Sequence, residues 1–131
     1  MGLDMYLNGK EFLWTNWENP EKNKKIDGFR LKERILELGY WRKHPDLHGF
    51  IVQNFANNTD NCEPIELTTE NLVDILNAVK EDKLPHTKGF FFGESQPEYK
   101  KETIEILEKA IKWLETKKEG IAKNIIYKTS W

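Results

Sequence analysis

The sequence predicts an α+β fold: a single domain over residues 1–131, in which a small antiparallel sheet is covered on one face by about four helices. Two observations predict it. Extended apolar stretches lie near both ends of the chain, and amphipathic stretches typical of helices lie between them. A lone hairpin cannot bury its apolar residues, so we expect the last strand to join an N-terminal hairpin in one sheet.

The N-terminal hairpin is predicted from its turn. Residues 3–7 and 10–14 flank Asn8 and Gly9, and this dipeptide tolerates the positive φ angles of a type I′ turn. A polar, turn-like loop over residues 19–25 follows. The hairpin would supply two strands of the expected sheet.

Two helices are predicted in the first half of the chain. Residues 26–38 place apolar side chains at a spacing that can form a helical stripe, and Gly39 supplies a stop. The second helix should cover residues 45–57, because Pro45 suits a first helical turn. Its apolar positions are Leu47, Phe50, Ile51 and Phe55.

The second half alternates extended and helical stretches. A short extended segment is predicted at residues 64–67, and Thr68 then caps a third helix. The apolar residues 89–93 indicate a strand or a tightly packed loop. The longest helix is predicted from residue 97 to about residue 117. Residues 124–131 indicate a final strand, which would close the sheet.

Composition and length exclude several classes of protein. With 38% hydrophobic and 12% aromatic residues the chain is too apolar to be disordered. No apolar run reaches the length of a membrane span, and the first residues lack the pattern of a signal peptide. Cys62 is the only cysteine, which fits a reducing compartment. We therefore expect a cytoplasmic protein with no membrane partner.

Charge is unevenly distributed along the chain. The formal net charge of −2 argues against a partner as anionic as long duplex nucleic acid. Residues 22–43, however, contain eight Lys or Arg against three acidic residues. A basic face on an acidic protein suits a small anionic ligand or an acidic partner surface, although many such faces are simply solvated.

A candidate binding site is predicted at residues 40–50. Trp41 would offer a stacking surface, Arg42 and Lys43 would meet phosphates, and the helix beginning near Pro45 would supply free N–H groups. Such a site fits a nucleotide-like ligand. Trp14, Trp113 and Trp131, in contrast, are expected to be core residues. The candidate ligand-binding residues are Trp41, Arg42, Lys43, His48, Asn61 and Glu63.

Catalytic and metal sites are weighed against simpler roles. His44 and His48 are spaced four residues apart, as metal ligands on a helix can be. Pro45 places His44 at the helix start, which leaves one dependable histidine, so no metal and no cofactor is predicted. Cys62, His48 and Asp46 could formally act as nucleophile, base and orienting carboxylate. Because nothing in their spacing requires this, no catalytic residue is assigned.

Arg42 and Glu63 have an alternative, structural role. A charge-assisted hydrogen bond between them would tie the loop at residue 63 to the start of the second helix. This pairing is the preferred interpretation of the two residues. The alternative, in which Arg42 binds a ligand, remains open.

Several short motifs resemble a group of small proteins encoded by bacteriophages and prophages, and the similarity covers the whole chain in the same order. The motifs are residues 1–7, residues 39–43 followed by His48, residues 61–64, residues 84–85 with 89–93, residues 102–105 and residues 127–131. The resemblance implies an origin and no mechanism. The expected function is that of a phage accessory protein, a non-catalytic binding protein for a host protein or a small anionic ligand. The alternative is a small hydrolase that uses Cys62 and His48 or a bound metal.

Overall fold

A computed structural model describes residues 3–85 and 98–130. The fold is α+β, as predicted, and in the described residues an antiparallel sheet of four strands carries three α-helices. The strands are β1 Asp4–Leu13, β2 Lys25–Ile26, β3 Phe29–Arg30, β4 Glu33–Arg42, β5 Ile65–Leu67 and β6 Ile121–Ser130. The helices are α1 Pro45–Phe55, α2 Thr69–Lys80 and α3 Tyr99–Glu115, and a short 3-10 turn covers Pro20–Lys22.

The main sheet has the strand order β4-β1-β6-β5, with β1 and β6 as its two inner strands. β6 pairs antiparallel with β1 along its whole length, from Asp4 opposite Ser130 to Leu13 opposite Ile121. The prediction that the last strand joins the N-terminal strand is therefore confirmed. β2 and β3 form a separate two-stranded sheet.

The predicted turn at Asn8 and Gly9 is wrong. Both residues lie inside β1, which continues without a turn and takes β4 as its second partner. Gly9 is needed there for a different reason: a Cβ atom at this position would lie 2.7 Å from the ring of Trp113. The glycine allows α3 to approach the sheet closely instead of reversing the chain.

The predicted helix over residues 26–38 is also wrong. The chain forms the small β2–β3 hairpin and then β4, so the described residues contain three α-helices where about four were expected. The register between β1 and β4 shifts at Leu38, an extra residue in β4 that forms a β-bulge. Because the bulge interrupts the alternation of apolar and polar residues, the segment lacks the period typical of a strand.

The other predicted helices are confirmed with small changes of boundary. α1 begins at Pro45 and ends at Phe55, two residues before the predicted end. At the start of α2, Thr68 accepts a hydrogen bond from the Asn71 N–H, and the Asn71 side chain accepts one from the Thr68 N–H. The predicted strand or loop at residues 89–93 lies outside the described residues.

The helices cover one face of the sheet, as predicted. Alternate residues of β1 and β6, including Met5, Leu7, Ile125 and Tyr127, are almost completely buried against the helices. The other face carries alternate residues of the same strands, which are half-buried or exposed. Its residues on β1 are Tyr6, Asn8, Lys10 and Phe12.

Buried charges hold the end of the sheet where β1 finishes. The Glu11 side chain is 1% exposed and pairs with Arg34 of β4 at 2.9 Å, with Lys118 at 4.0 Å. Nearby, the Lys123 ammonium group donates to the C=O groups of Trp113 and Thr116 at the end of α3. A buried carboxylate is stable only when it is paired, so these contacts fix the position from which residues 14–32 project.

Candidate functional site

The structure places Trp41 in the core. Its side chain is 2% exposed, and its indole N–H donates to the hydroxyl of Thr103 on α3 at 2.8 Å. A buried ring with a satisfied N–H is typical of a structural tryptophan. Trp41 therefore has no free face on which a ligand could stack, which corrects its predicted role.

Side chains of the protein itself occupy the start of α1, where an anion was expected to bind. His44 at the N-cap is 5% exposed, its ring lies 5.0 Å from that of Tyr99, and burial lowers its pKa to about 4. It is therefore uncharged at neutral pH. Asp46 adds a negative charge in the first turn of the helix. Both features make this helix start a poor anion site.

Arg42 and Lys43 are exposed, as a ligand-binding role would require. The predicted structural bond is not formed: among the described residues, no ion pair joins Arg42 to Glu63. Instead, the Tyr99 hydroxyl donates to the C=O of Arg42 at 2.7 Å. Arg42 thus contributes its backbone to the fold and leaves its guanidinium group at the surface.

His48 lies in a buried polar network. Its Nδ1 is 2.7 Å from the hydroxyl of Tyr127, and its Nε2 is 3.0 Å from Oδ1 of Asp60. Burial, followed by the charges of Asp60 and Cys62, raises the pKa of Tyr127 well above its usual value. The tyrosine therefore keeps its proton. In the tautomer with a proton on Nε2, His48 donates to Asp60 and accepts from the Tyr127 hydroxyl.

This network bears on the proposed cysteine chemistry. A base for Cys62 needs an imidazole nitrogen directed at the thiol, yet both nitrogens of His48 face other groups. The carboxylate at Nε2 belongs to Asp60, whereas the sequence suggested Asp46. The geometry favours a structural role, in which His48 ties the loop after α1 to β6 through Tyr127.

Asn61 and Glu63 lie in the loop between α1 and β5. Asn61 is exposed, and its side-chain oxygen accepts the Glu63 N–H at 3.2 Å, forming a local turn. The two residues border a surface depression together with Glu66. Two carboxylates there disfavour a phosphate. Within residues 3–85 and 98–130, no three His, Cys, Asp or Glu residues converge as metal ligands would.

A different region combines exposed aromatic and cationic side chains. We call residues 14–32, between β1 and β4, the aromatic arm. Trp17 is 81% exposed, Phe29 77% and Trp14 65%. The core role predicted for Trp14 is therefore wrong, while Trp113 packs partly buried against the core and Trp131 lies outside the described residues. Three such exposed rings in one segment indicate a contact surface.

The aromatic arm is a folded structure attached at both ends to the sheet. At its root, the Leu13 N–H donates to the C=O of Lys32 and the Trp14 N–H to that of Gly120, both at 2.8 Å. β2 and β3 are joined by Asp27 and Gly28, which have φ angles of 53° and 83°. A turn with two positive φ angles is the tight hairpin turn. The arm is thus a preformed surface.

Two asparagines close the loop between β1 and β2. The Asn16 N–H donates to the side-chain oxygen of Asn23 at 2.6 Å, and the Asn23 amide donates to the C=O of Asn16 at 3.2 Å. The Asn16 side chain also accepts the Asn19 N–H at 2.8 Å. These bonds hold the backbone beneath Trp17 in one conformation.

Cations of the arm lie near two of its exposed rings, Trp17 and Trp14. The arm holds five Lys or Arg and three acidic residues, a net charge of +2, so the other residues carry −4 of the total of −2. The Arg30 guanidinium lies 5.8 Å from the centre of the Trp17 ring and donates to the hydroxyl of Thr15. A depression of about 350 Å³ lies at the root of the arm. Its border includes Trp14, Lys22, Lys24, Arg30 and Glu119.

Sequence reasoning located the cations and missed their aromatic partners. It recognised residues 22–43 as basic but assigned the stacking role to Trp41, which is buried. A signal was present: Asp27 and Gly28 are flanked by Ile26 and Phe29, the pattern of a short hairpin. This pattern would have placed Phe29 on a small hairpin outside the main sheet, where a side chain has few neighbours to bury it.

Comparison with known proteins adds no assignment. No protein-family model, curated protein or solved structure matches the chain. In the described residues, no helix combines the length and the apolar character needed to cross a membrane.

Proposed function

We propose that this protein is a non-catalytic binding protein of the bacteriophage accessory type, and that it binds a small anionic, nucleotide-like ligand on the aromatic arm. The observation that carries the proposal is the exposure of Trp14, Trp17 and Phe29 beside the cations of the same segment. Burying such rings stabilises a protein, so a folded segment that leaves three of them in water is best explained by a bound partner.

The chemistry of the arm matches the two parts of a nucleotide. A flat base can stack on an exposed indole or phenyl ring, which stabilises binding by roughly 1–3 kcal/mol per base. Lys22, Lys24 and Arg30 border the depression at the arm's root and can meet the phosphates. The asparagine bonds and the hairpin hold these groups before binding, which reduces the entropy lost on association.

The accessory role is supported by the resemblance of the chain to small phage and prophage proteins. Action in the cytoplasm of a bacterial host is part of this proposal, and capture of a host protein is its first competitor. The hydrolase alternative has less support, because both ring nitrogens of His48 are directed at Tyr127 and Asp60 and not at Cys62.

A fluorescence titration tests the proposal directly. Trp14 and Trp17 are exposed whereas Trp41 is buried, so ATP bound on the arm should quench the red-shifted part of the tryptophan emission. Calorimetry on the same samples gives the affinity. Trp17→Ala should weaken binding by about tenfold, the equivalent of roughly 1.4 kcal/mol of lost stacking, and Trp17→Phe should restore part of it.

The matched control is Val73→Ala, which truncates an exposed apolar residue of α2. This variant should bind ATP like the unchanged protein. The proposal fails if ATP and a short single-stranded oligonucleotide both give no heat and no quenching, or if Trp17→Ala binds with unchanged affinity.

A further inference from the structure

Besides the aromatic arm, the outer edge of β4 offers a second surface for binding. It lies on the opposite side of the main sheet from β5. β4 is ten residues long and stands at the end of the strand order. In residues 3–85 and 98–130, no strand pairs with it on the side away from β1. A long unpaired edge is a template for another strand.

The ladder between β1 and β4 shows which backbone groups of β4 point outward. Its last bonds run from the Lys43 N–H to the C=O of Leu3 and from the Leu13 N–H to the C=O of Lys32. Bonded and non-bonded residue pairs alternate in an antiparallel ladder. We count inward from these two ends and set aside the residues at the bulge. Four residues of β4 then direct their N–H and C=O groups outward: Glu33, Ile35, Tyr40 and Arg42.

The same four residues carry their side chains on the open face of the sheet, since they stand opposite Phe12, Lys10, Tyr6 and Asp4 of β1. Ile35 is 67% exposed and Tyr40 is 38% exposed. Glu33 lies near one end of the edge and Arg42 at the other. The edge therefore has opposite charges at its ends, with Ile35 and Tyr40 between them and the exposed Glu37 beside the bulge.

We propose that two copies of this chain pair antiparallel through β4, with Glu33 of one copy opposite Arg42 of the other and Ile35 opposite Tyr40. Each pair occurs twice because the axis is two-fold. Two four-stranded sheets thereby become one continuous eight-stranded sheet. This inference is independent of the ligand proposed for the aromatic arm.

The alternative registers fit less well. Outward-directed residues must face outward-directed residues for the bonds to form. Shifting the pairing so that Ile35 faces its own copy brings Glu33 opposite Glu37, and like charges directly opposite destabilise a sheet. A shift by two residues in one direction places Glu33 opposite Tyr40, and a shift in the other direction places Arg42 opposite Ile35. In each case the charged residue faces no opposite charge.

Two local features limit the ladder and agree with the proposed register. The bulge residue Leu38 falls beside the two-fold axis, where it interrupts the ladder once at its centre and leaves both halves regular. The C=O of Arg42 already accepts a bond from Tyr99, but a carbonyl oxygen can accept two. The Glu33–Arg42 pairs can therefore form backbone bonds as well as the Ile35–Tyr40 pairs.

Sedimentation velocity of the full chain, from micromolar to millimolar concentration, tests the proposal. We expect a concentration-dependent monomer–dimer equilibrium. Glu33→Arg and Arg42→Glu should each raise the dimer dissociation constant roughly tenfold or more, because two symmetry-related attractive pairs become repulsive. The double variant Glu33→Arg/Arg42→Glu should restore the original constant.

Lys128→Glu is the matched control, since it reverses an exposed charge of β6 without touching the β4 edge, and it should leave the dimer unchanged. If a charge variant fails to fold, Ile35→Lys provides an independent test, because a lysine at an exposed edge opposes pairing. A chain that stays monomeric throughout, or a dimer that ignores both the charge reversal and Ile35→Lys, would overturn the proposal.

Discussion

Two segments of this protein contain the same kinds of side chain, but the aromatic ring is buried in one and exposed in the other. Residues 40–44 and the aromatic arm at residues 14–32 both combine aromatic, cationic and polar groups. In the first, α3 covers the ring of Trp41 and Thr103 binds its N–H. In the second, no described element covers Trp17. The difference teaches that residue type sets what a site can bind, whereas the covering element decides whether a ligand can reach it.

The segments also lie at opposite ends of the sheet. Arg42 stands opposite Asp4, at the beginning of β1, and Glu33 stands opposite Phe12, near its end. Eight residue steps of strand separate these two positions of β1, about 27 Å at the usual rise per residue. One ligand of nucleotide size cannot contact both ends, so mutations can distinguish the two segments cleanly.

The largest expected effect comes from truncating the buried ring. Trp41→Ala should lower the free energy of unfolding by about 3–5 kcal/mol, because it leaves a cavity and removes the partner of Thr103. Trp17→Ala should lower it by no more than about 1 kcal/mol, because the exposed ring loses only its cation–π contact with Arg30. Urea unfolding of both variants measures the difference. Equal losses would mean that the arm packs as tightly as the core.

The next effect is a dependence on pH that only the buried segment should show. The folded-state pKa of His44, lowered by burial from 6.5 to about 4, lies below its unfolded value. The unfolded chain therefore binds more protons between these values, so stability is full above pH 6.5 and falls as the pH drops towards 4, by about 3 kcal/mol in all.

The measurement for this prediction is urea unfolding at several pH values for the unchanged protein and for His44→Gln. The glutamine variant should lose less stability than the unchanged protein over the same interval, since its side chain does not titrate. Parallel losses in the two proteins would show that other groups, and not His44, control the acid transition.

A third prediction concerns the close approach of α3 to the sheet. Gly9→Ala should lower the free energy of unfolding by about 1–3 kcal/mol, because the added Cβ would overlap the ring of Trp113. Gly28→Ala is the matched comparison: nothing lies within 4 Å of its Cβ position, and its cost comes from the positive φ of 83°. Gly9→Ala should cost less in a Trp113→Leu background than in the unchanged protein. An equal cost in both backgrounds would exclude the steric cause.

The smallest expected effect on stability is at Arg30, where the function is expected to change instead. Arg30→Ala should lower the melting temperature only modestly, since it removes a half-exposed cation–π contact with Trp17, of about 0.5–1 kcal/mol, and the hydrogen bond to Thr15. It should weaken ATP binding by roughly 1.5–3 kcal/mol, the range of a charge-assisted hydrogen bond. Arg42→Ala, at the other end of the sheet, is the control. Weakened binding in Arg42→Ala alone would return the site to residues 40–44.

Local signals in the sequence determined much of the fold. Pro45 marked the start of α1, Thr68 the cap of α2, and apolar residues at helical spacing marked α3. The final strand and its place in an antiparallel sheet also followed, because strands at the two ends of a short chain must share one apolar layer. These features depend on neighbouring residues or on burial that every sheet requires.

Only the tertiary structure decided whether a glycine forms a turn or allows a helix to approach the sheet. Asn8 and Gly9 have the composition of a hairpin turn, yet Gly9 is in a strand because Trp113 needs the space of a missing side chain. Gly39 suggested the end of a helix and instead faces Ile106 of α3 from within β4. A glycine permits both a turn and a close approach, and only the position of α3 selects between them.

The candidate site was decided in the same way. The sequence by itself determined that residues 22–43 are basic and that aromatic residues lie within and beside them. It did not determine which rings are exposed, because burial depends on an element more than fifty positions away: Trp41 packs against Thr103. In residues 3–85 and 98–130, no helix packs over Trp14 or Trp17, which leave the sheet where β1 ends. A long-range contact thus closes one segment and leaves the other open to a ligand.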